Sequence, residues 1–99
     1  MLKADSKVSI NGTCLQGYLQ ATYGTLVAKF GQPQLGFDKT QVEWHLTDPD
    51  FPGVVVTIYD WKCYGQNVKE ITDWNVGGNG RGALRLLGEA MGGLGLVRA

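Results

Sequence analysis

The stretch QVEWHLTDPDFPGVVVTIYDW, running from Gln41 to Trp61, decides the fold. Its first part alternates strictly. Val42, Trp44 and Leu46 point one way, and Glu43, His45 and Thr47 point the other. A period of two is the signature of a strand with one buried face. It places His45 on the solvent side. Asp48-Pro49-Asp50-Phe51-Pro52-Gly53 is a turn, since two prolines and a glycine cannot continue a ladder. Val54 to Trp61 is β-branched and aromatic, the profile of a central strand. The whole stretch therefore predicts an antiparallel hairpin.

The flanking sequence adds helices to this hairpin. In Thr22 to Phe30, residues Tyr23, Leu26, Val27 and Phe30 repeat at the spacing of one helical stripe. Thr22 is placed to cap the helix N-terminus, Gly31 to end it, and Pro33 to block its continuation. A second helix is predicted over Arg81 to Met91. Ala83, Leu86, Leu87, Ala90 and Met91 form its apolar face, with Arg81, Arg85 and Glu89 opposite. Lys7 to Ile10 reads as a short first strand. Asn11-Gly12 is a turn signal, and Cys14 to Leu19 is a second extended piece returning on the first. Gln34 to Lys39 reads as a loop, and Val68 to Val76 as a further strand. The tail from Gly92 is expected to fray. The sum is a single α+β domain over residues 1–99, a small antiparallel sheet of three to five strands with two helices packed on one face.

Composition excludes several classes. The chain has 99 residues, enough for one core and too few for two. Nine basic residues balance nine acidic ones, which argues against coating long nucleic acid. No apolar run approaches the ~20 residues of a membrane span, and no signal peptide is expected from Met1 to Ile10. Cys14 and Cys63 are read as free thiols, and one histidine without a paired CxxC fits no structural zinc pattern. No nucleophile elbow, HExxH or P-loop is present. No catalytic residue, metal site or cofactor is expected, and the chain is read as non-enzymatic.

The 15 glycines exceed the base rate of about 7%. Gly77-Gly78-Asn79-Gly80-Arg81-Gly82 leads from a strand end into a helix, where free N–H groups and the helix dipole favour an anion. Arg81 and Arg85, one turn apart, can grip a phosphate. Asn79 is either part of that site or a helix cap. Trp74, beside Asn75, is either a core residue or a platform for a base. Lys62 at a strand end adds positive charge or remains solvated. The candidate ligand-binding set is thus Lys62, Trp74, Asn75, Gly77, Gly78, Asn79, Gly80, Arg81 and Arg85. Gln16, Tyr18, Trp61 and Tyr64 are possible further contacts. The competing reading gives the glycines to tight turns and the arginines to Glu89 and solvent.

Leu15-Gln16-Gly17-Tyr18, Phe30-Gly31-Gln32-Pro33, Asp38-Lys39, Glu43-Trp44, Ile58-Tyr59-Asp60-Trp61-Lys62 and Trp74-Asn75-Val76-Gly77-Gly78 follow one another in a recognisable order. The pattern resembles a family of small proteins encoded by tailed bacteriophages, over about residues 7 to 91. Gln32 and Asn75 depart from it, standing where the family usually has glutamate and histidine. The Asp48 to Gly53 turn also carries more prolines than the family's acidic turn. The resemblance implies an accessory protein of the infected host's cytoplasm that counters host defence. Two modes follow: sequestering a nucleotide immune signal, as an ADP-ribose derivative or a cyclic oligonucleotide, or docking on a host defence protein such as a CRISPR component. A virion accessory role is a third. A chain this small offers little concave surface, so a homo-oligomer is expected, with the Gly/Leu tail and exposed aromatics at its interface. No membrane partner is expected.

Overall fold

The computed structural model describes residues 1–63, 65–80 and 82–99. Along the chain run β1 (Lys3–Ala4), β2 (Cys14–Gln20), α1 (Tyr23–Phe30), β3 (Gln34–Leu35), β4 (Val42–Thr47), β5 (Val55–Tyr59), β6 (Asp73–Gly78), α2 (Gly82–Met91) and β7 (Leu96–Arg98). The Gln41–Trp61 hairpin forms as its alternation dictates. Trp44 stands opposite Ile58, and Leu46 opposite Val56. The sheet order is β1-β4-β5-β6-β2-β7, all pairs antiparallel, with β3 sharing the outer edge of β4 with β1. The domain is α+β, as the sequence predicts.

Among the described residues the sheet has seven strands, not three to five. The additional ones, β1, β3 and β7, are two or three residues long. Such short pieces carry no period and exist only because a neighbour supplies their ladder. Lys7 to Ile10 is not a strand, and β2 pairs instead with β6 and β7. The tail does not fray, because Leu96–Arg98 zips onto Tyr18–Gln20. Val68–Glu70 is a single 3₁₀ turn before β6.

Both helices cover one sheet face. Leu19, Trp44, Leu46, Val56, Ile58, Trp74 and Val76 meet Leu26, Phe30, Ala83, Leu87 and Met91 in one buried cluster. Gly78 points to this side, where a Cβ would lie 2.4 Å from the Ala83 methyl. Its missing side chain lets α2 lie close on β6. Helix α1 starts at the predicted cap, with the Thr22 hydroxyl accepting from the Thr25 N–H at 3.1 Å. It ends where Gly31, at φ 85°, donates to the Val27 carbonyl.

Two tryptophans hold the ends of α1. Trp74 Nε1 donates to the Ala21 carbonyl at 2.9 Å, just before the helix, and Trp44 Nε1 donates to the Gly31 carbonyl at 2.8 Å, just after it. The indoles meet edge to face, 5.3 Å apart at 81°, the geometry that a ring quadrupole favours.

Two expectations follow. Trp74→Phe keeps most of the ring and leaves the Ala21 carbonyl without its donor. Urea unfolding of this variant is expected to show a loss of about 1–3 kcal/mol, the cost of an unsatisfied buried acceptor. Asp48, buried at the β4 exit, accepts from the Met1 amino group and from the Asp50 N–H, both at 2.9 Å. These contacts hold its carboxyl below the usual value of 3.8. A depressed carboxylate stabilises the fold above the unfolded pKa and loses that contribution as pH falls through the folded one. The acid limb of a stability–pH profile should therefore flatten below pH ~4 in Asp48→Asn relative to the parent.

Candidate functional site

The sheet face away from the helices carries the chemistry. Strand register lines its side chains in rows across the strands. One row runs Gln34, Glu43, Tyr59, Asn75, Tyr18, Arg98. The next runs His45, Thr57, Gly77, Leu15. Loops close over part of these rows and leave a cleft of about 220 Å³. Thr57, Tyr59 and Gly77 form its floor. Its walls come from Ile10, Thr13, Cys14, Thr40 and Glu43, and its rim from Phe37 and Trp61.

Gly77 makes the floor deep. A Cβ there would stand 2.5 Å from Thr57 Oγ1 and 3.4 Å from the Tyr59 ring. The adjacent glycines thus serve opposite faces, Gly78 the helix and Gly77 the cleft.

The rim is positive and aromatic. Trp61 is 47% exposed and sits edge-on to Tyr59, ring centroids 6.3 Å apart. The ammonium groups of Lys39 and Lys62 lie 5.7 and 5.9 Å from its ring centroid. Two loops are tied together here, with the Lys62 N–H donating to the Lys39 carbonyl at 2.9 Å. Asp38 and Lys62 both hold positive φ, 61° and 54°, a conformation uncommon outside glycine. The buried Asp60 braces the first of these two segments. Its Oδ1 accepts from the Gln41 and Val42 N–H groups at 2.7 and 3.1 Å, fixing the loop that carries Lys39.

The polar wall is largely self-paired. Glu43 Oε2 accepts from the Thr40 hydroxyl at 2.6 Å, and its Oε1 lies 2.7 Å from His45 Nε2. His45 is 7% exposed, so its solvent-side placement is corrected. Ala4 and Ser6 of the N-terminal segment flank it there. Cys14 stands on β2, three strands from His45 on β4, or roughly 14 Å at normal strand spacing. That separation is too great for a thiol and its base. Burial raises the Tyr59 hydroxyl above its usual value, partly offset by the Asn75 amide, so it stays a neutral donor near pH 7.

The sequence-predicted set divides. Lys62, Trp61, Gly77, Asn75 and Tyr18 share the open face. Trp74 does not, being 1% exposed and bonded to Ala21, so its role as a stacking platform is corrected to core. The alternation Asp73-Trp74-Asn75-Val76 carried that signal, because the polar neighbours belong to the other face. Gly78 serves helix packing. Asn79 is not a helix cap. Its Oδ1 accepts from the Val55 N–H at 2.8 Å and its Nδ2 donates to the Gly53 carbonyl at 2.7 Å, tying the hairpin turn to the end of β6. Gly80, at φ 122°, turns the chain between β6 and α2. Arg85 is 84% exposed and pairs with Glu89 at 3.3 Å. Gln16 sits at a bulge and donates to the Gly78 carbonyl at 3.1 Å. Arg81 and Tyr64 lie outside the described residues.

Lys62 and Arg85 are not brought together. Gly78, which precedes the turn into α2, pairs with Val56, while Lys62 follows Tyr59 at the far end of β5. The contributors that the sequence reading missed are Phe37, Lys39, Glu43, Thr57, Tyr59 and Arg98. Strand alternation could have flagged Glu43, Thr57 and Tyr59. Nothing local flags the loop and tail residues.

No protein-family model, curated protein or solved structure matches this chain. Among the described residues no group of three metal-ligating side chains occurs, and no helix is long and apolar enough to cross a membrane.

The roles of Asn79 and Arg85 separate in a denaturation series. Asn79→Ala should lose about 1–2 kcal/mol through its two backbone contacts. Arg85→Ala should stay within about 0.5 kcal/mol, as expected of an exposed pair.

Proposed function

We propose that this chain is a non-enzymatic binding protein that sequesters a small phosphorylated nucleotide in the open-face cleft. The observation that carries this reading is Trp61, half exposed at the cleft mouth with two lysine ammonium groups beside its ring. An aromatic face binds a base in a sequence-tolerant way. Paired cations nearby neutralise phosphate. The polar floor supplies donors, and Gly77 supplies depth. On this reading the binding residues are Trp61, Lys62, Lys39, Tyr59 and Gly77, with Asn75 and Tyr18 alongside, rather than the start of α2.

The setting follows from the resemblance to small phage proteins. The ligand would be a nucleotide immune signal, an ADP-ribose derivative or a cyclic oligonucleotide, held without turnover in the host cytoplasm. A cleft of about 220 Å³ is below the ~300–1,000 Å³ of typical ligand pockets. A homo-oligomer that completes the enclosure fits this size.

One observation favours a second reading, an inhibitor that docks on a host defence protein. Leu35 and Phe37 are 87% and 88% exposed on either side of Gly36. Bare apolar side chains on a fixed loop can act as binding hot spots.

Native mass spectrometry of protein purified from cells with nucleotide-signalling defences tests the first reading. A heat-released, chemically unchanged nucleotide is the expected result. In calorimetric titrations with that nucleotide, Trp61→Ala should weaken binding by about 1–3 kcal/mol, roughly 5- to 150-fold. An unliganded mass, together with a protein captured by the parent and not by a Leu35→Ser/Phe37→Ser variant, would replace it with the second reading.

A further inference from the structure

The open face holds a second aromatic–cation pair. The Arg98 guanidinium lies 5.2 Å from the centroid of the Tyr18 ring, which is 39% exposed. Tyr18 and Tyr59 occupy the same cross-strand row, separated only by Asn75. That places them two strand spacings apart, about 9–10 Å. A shallow pocket of about 120 Å³ opens beside Tyr18, lined also by Gln20, Asp73, Asn75 and Arg98. The two ends of the row are therefore built alike. Each offers an aromatic ring and a cation: Trp61, packed on Tyr59, with Lys39 and Lys62 on one side of Asn75, and Tyr18 with Arg98 on the other, where Asp73 adds a carboxylate. Ring and cation suit a nucleotide unit, and a carboxylate can accept from a base amino group. Asn75 stands between them with an amide that can both donate and accept.

We infer that the open face takes a ligand of two nucleotide units joined through phosphate, one base at Trp61 and the other at Tyr18, with Asn75 beneath the linkage. This rests on the nucleotide-binding reading above and specifies its ligand class. A single nucleotide fills the first cleft and leaves the Tyr18–Arg98 end unused. A long strand is disfavoured because the row ends at the β7 edge and the chain carries no net charge.

Trp44 and Trp74 are buried, so quenching of tryptophan fluorescence reports on Trp61. The probes are the four ribonucleoside 5′-monophosphates, the matching linear dinucleotides, and cyclic di-AMP and cyclic di-GMP. At least one dinucleotide should bind ten times or more tighter than its mononucleotide. Arg98→Ala and Tyr18→Ala should each remove that advantage, bringing the dinucleotide-to-mononucleotide affinity ratio of the variant close to one. Both residues are exposed, and circular dichroism checks that the variants fold. Whether the preferred dinucleotide is linear or cyclic identifies its source. Equal affinity for one and two units overturns the inference and leaves the cleft reading standing. So does a dinucleotide advantage that survives both substitutions. Absence of quenching by every probe overturns the inference, and absence of quenching by ADP-ribose as well overturns the cleft reading with it.

Discussion

Two indole N–H groups fix where everything else sits. Trp44 and Trp74 come from strands on either side of β5, and each donates to a carbonyl at one end of α1. A buried indole nitrogen needs a partner, and the backbone just outside a short helix has carbonyls to offer. Satisfying both at once sets the position and direction of α1 on the sheet. The helix also places Leu26 and Phe30 in the same cluster as Ile58 and Val76. With that face filled by helices, the opposite face is the one left for chemistry.

The open face is a consequence of strand period. Every residue that packs against a helix forces its neighbours to the other side. Tyr59 faces the cleft because Ile58 faces the core, and Asn75 does so because Trp74 and Val76 do not. Gly77 and Gly78 show the constraint most sharply. One lacks a side chain so that a floor can form above Thr57, the other so that Ala83 can approach. The loops then finish the site. Asp60 binds the amides that follow Lys39, and Lys62 bonds back to Lys39, so the cations reach Trp61 from two segments that are distant in sequence.

The titratable groups of this face are paired with one another or held apart. Both oxygens of Glu43 are already engaged, His45 is buried beside it, and the Cys14 thiol is strands away. The groups exposed at the cleft mouth are the Trp61 ring and the two ammonium groups beside it. Rigid placement of these groups on strands and tied loops lowers the ordering cost that a mobile site would bear.

Local pattern alone settled the hairpin, both helices and the end signals of α1, because alternation, 3.6-residue stripes and capping depend only on neighbours in the chain. It did not settle which face Trp74 belonged to once polarity of neighbours was weighed ahead of period. The glycine-rich turn looked like an anion site in one dimension, yet Asn79 is occupied by Val55 and Gly53, and Arg85 by Glu89. Short strands such as β7, and with it the meeting of Arg98 and Tyr18, have no local signature. Their hydrogen bonds come from partners many residues away, so only the folded sheet could bring them into being.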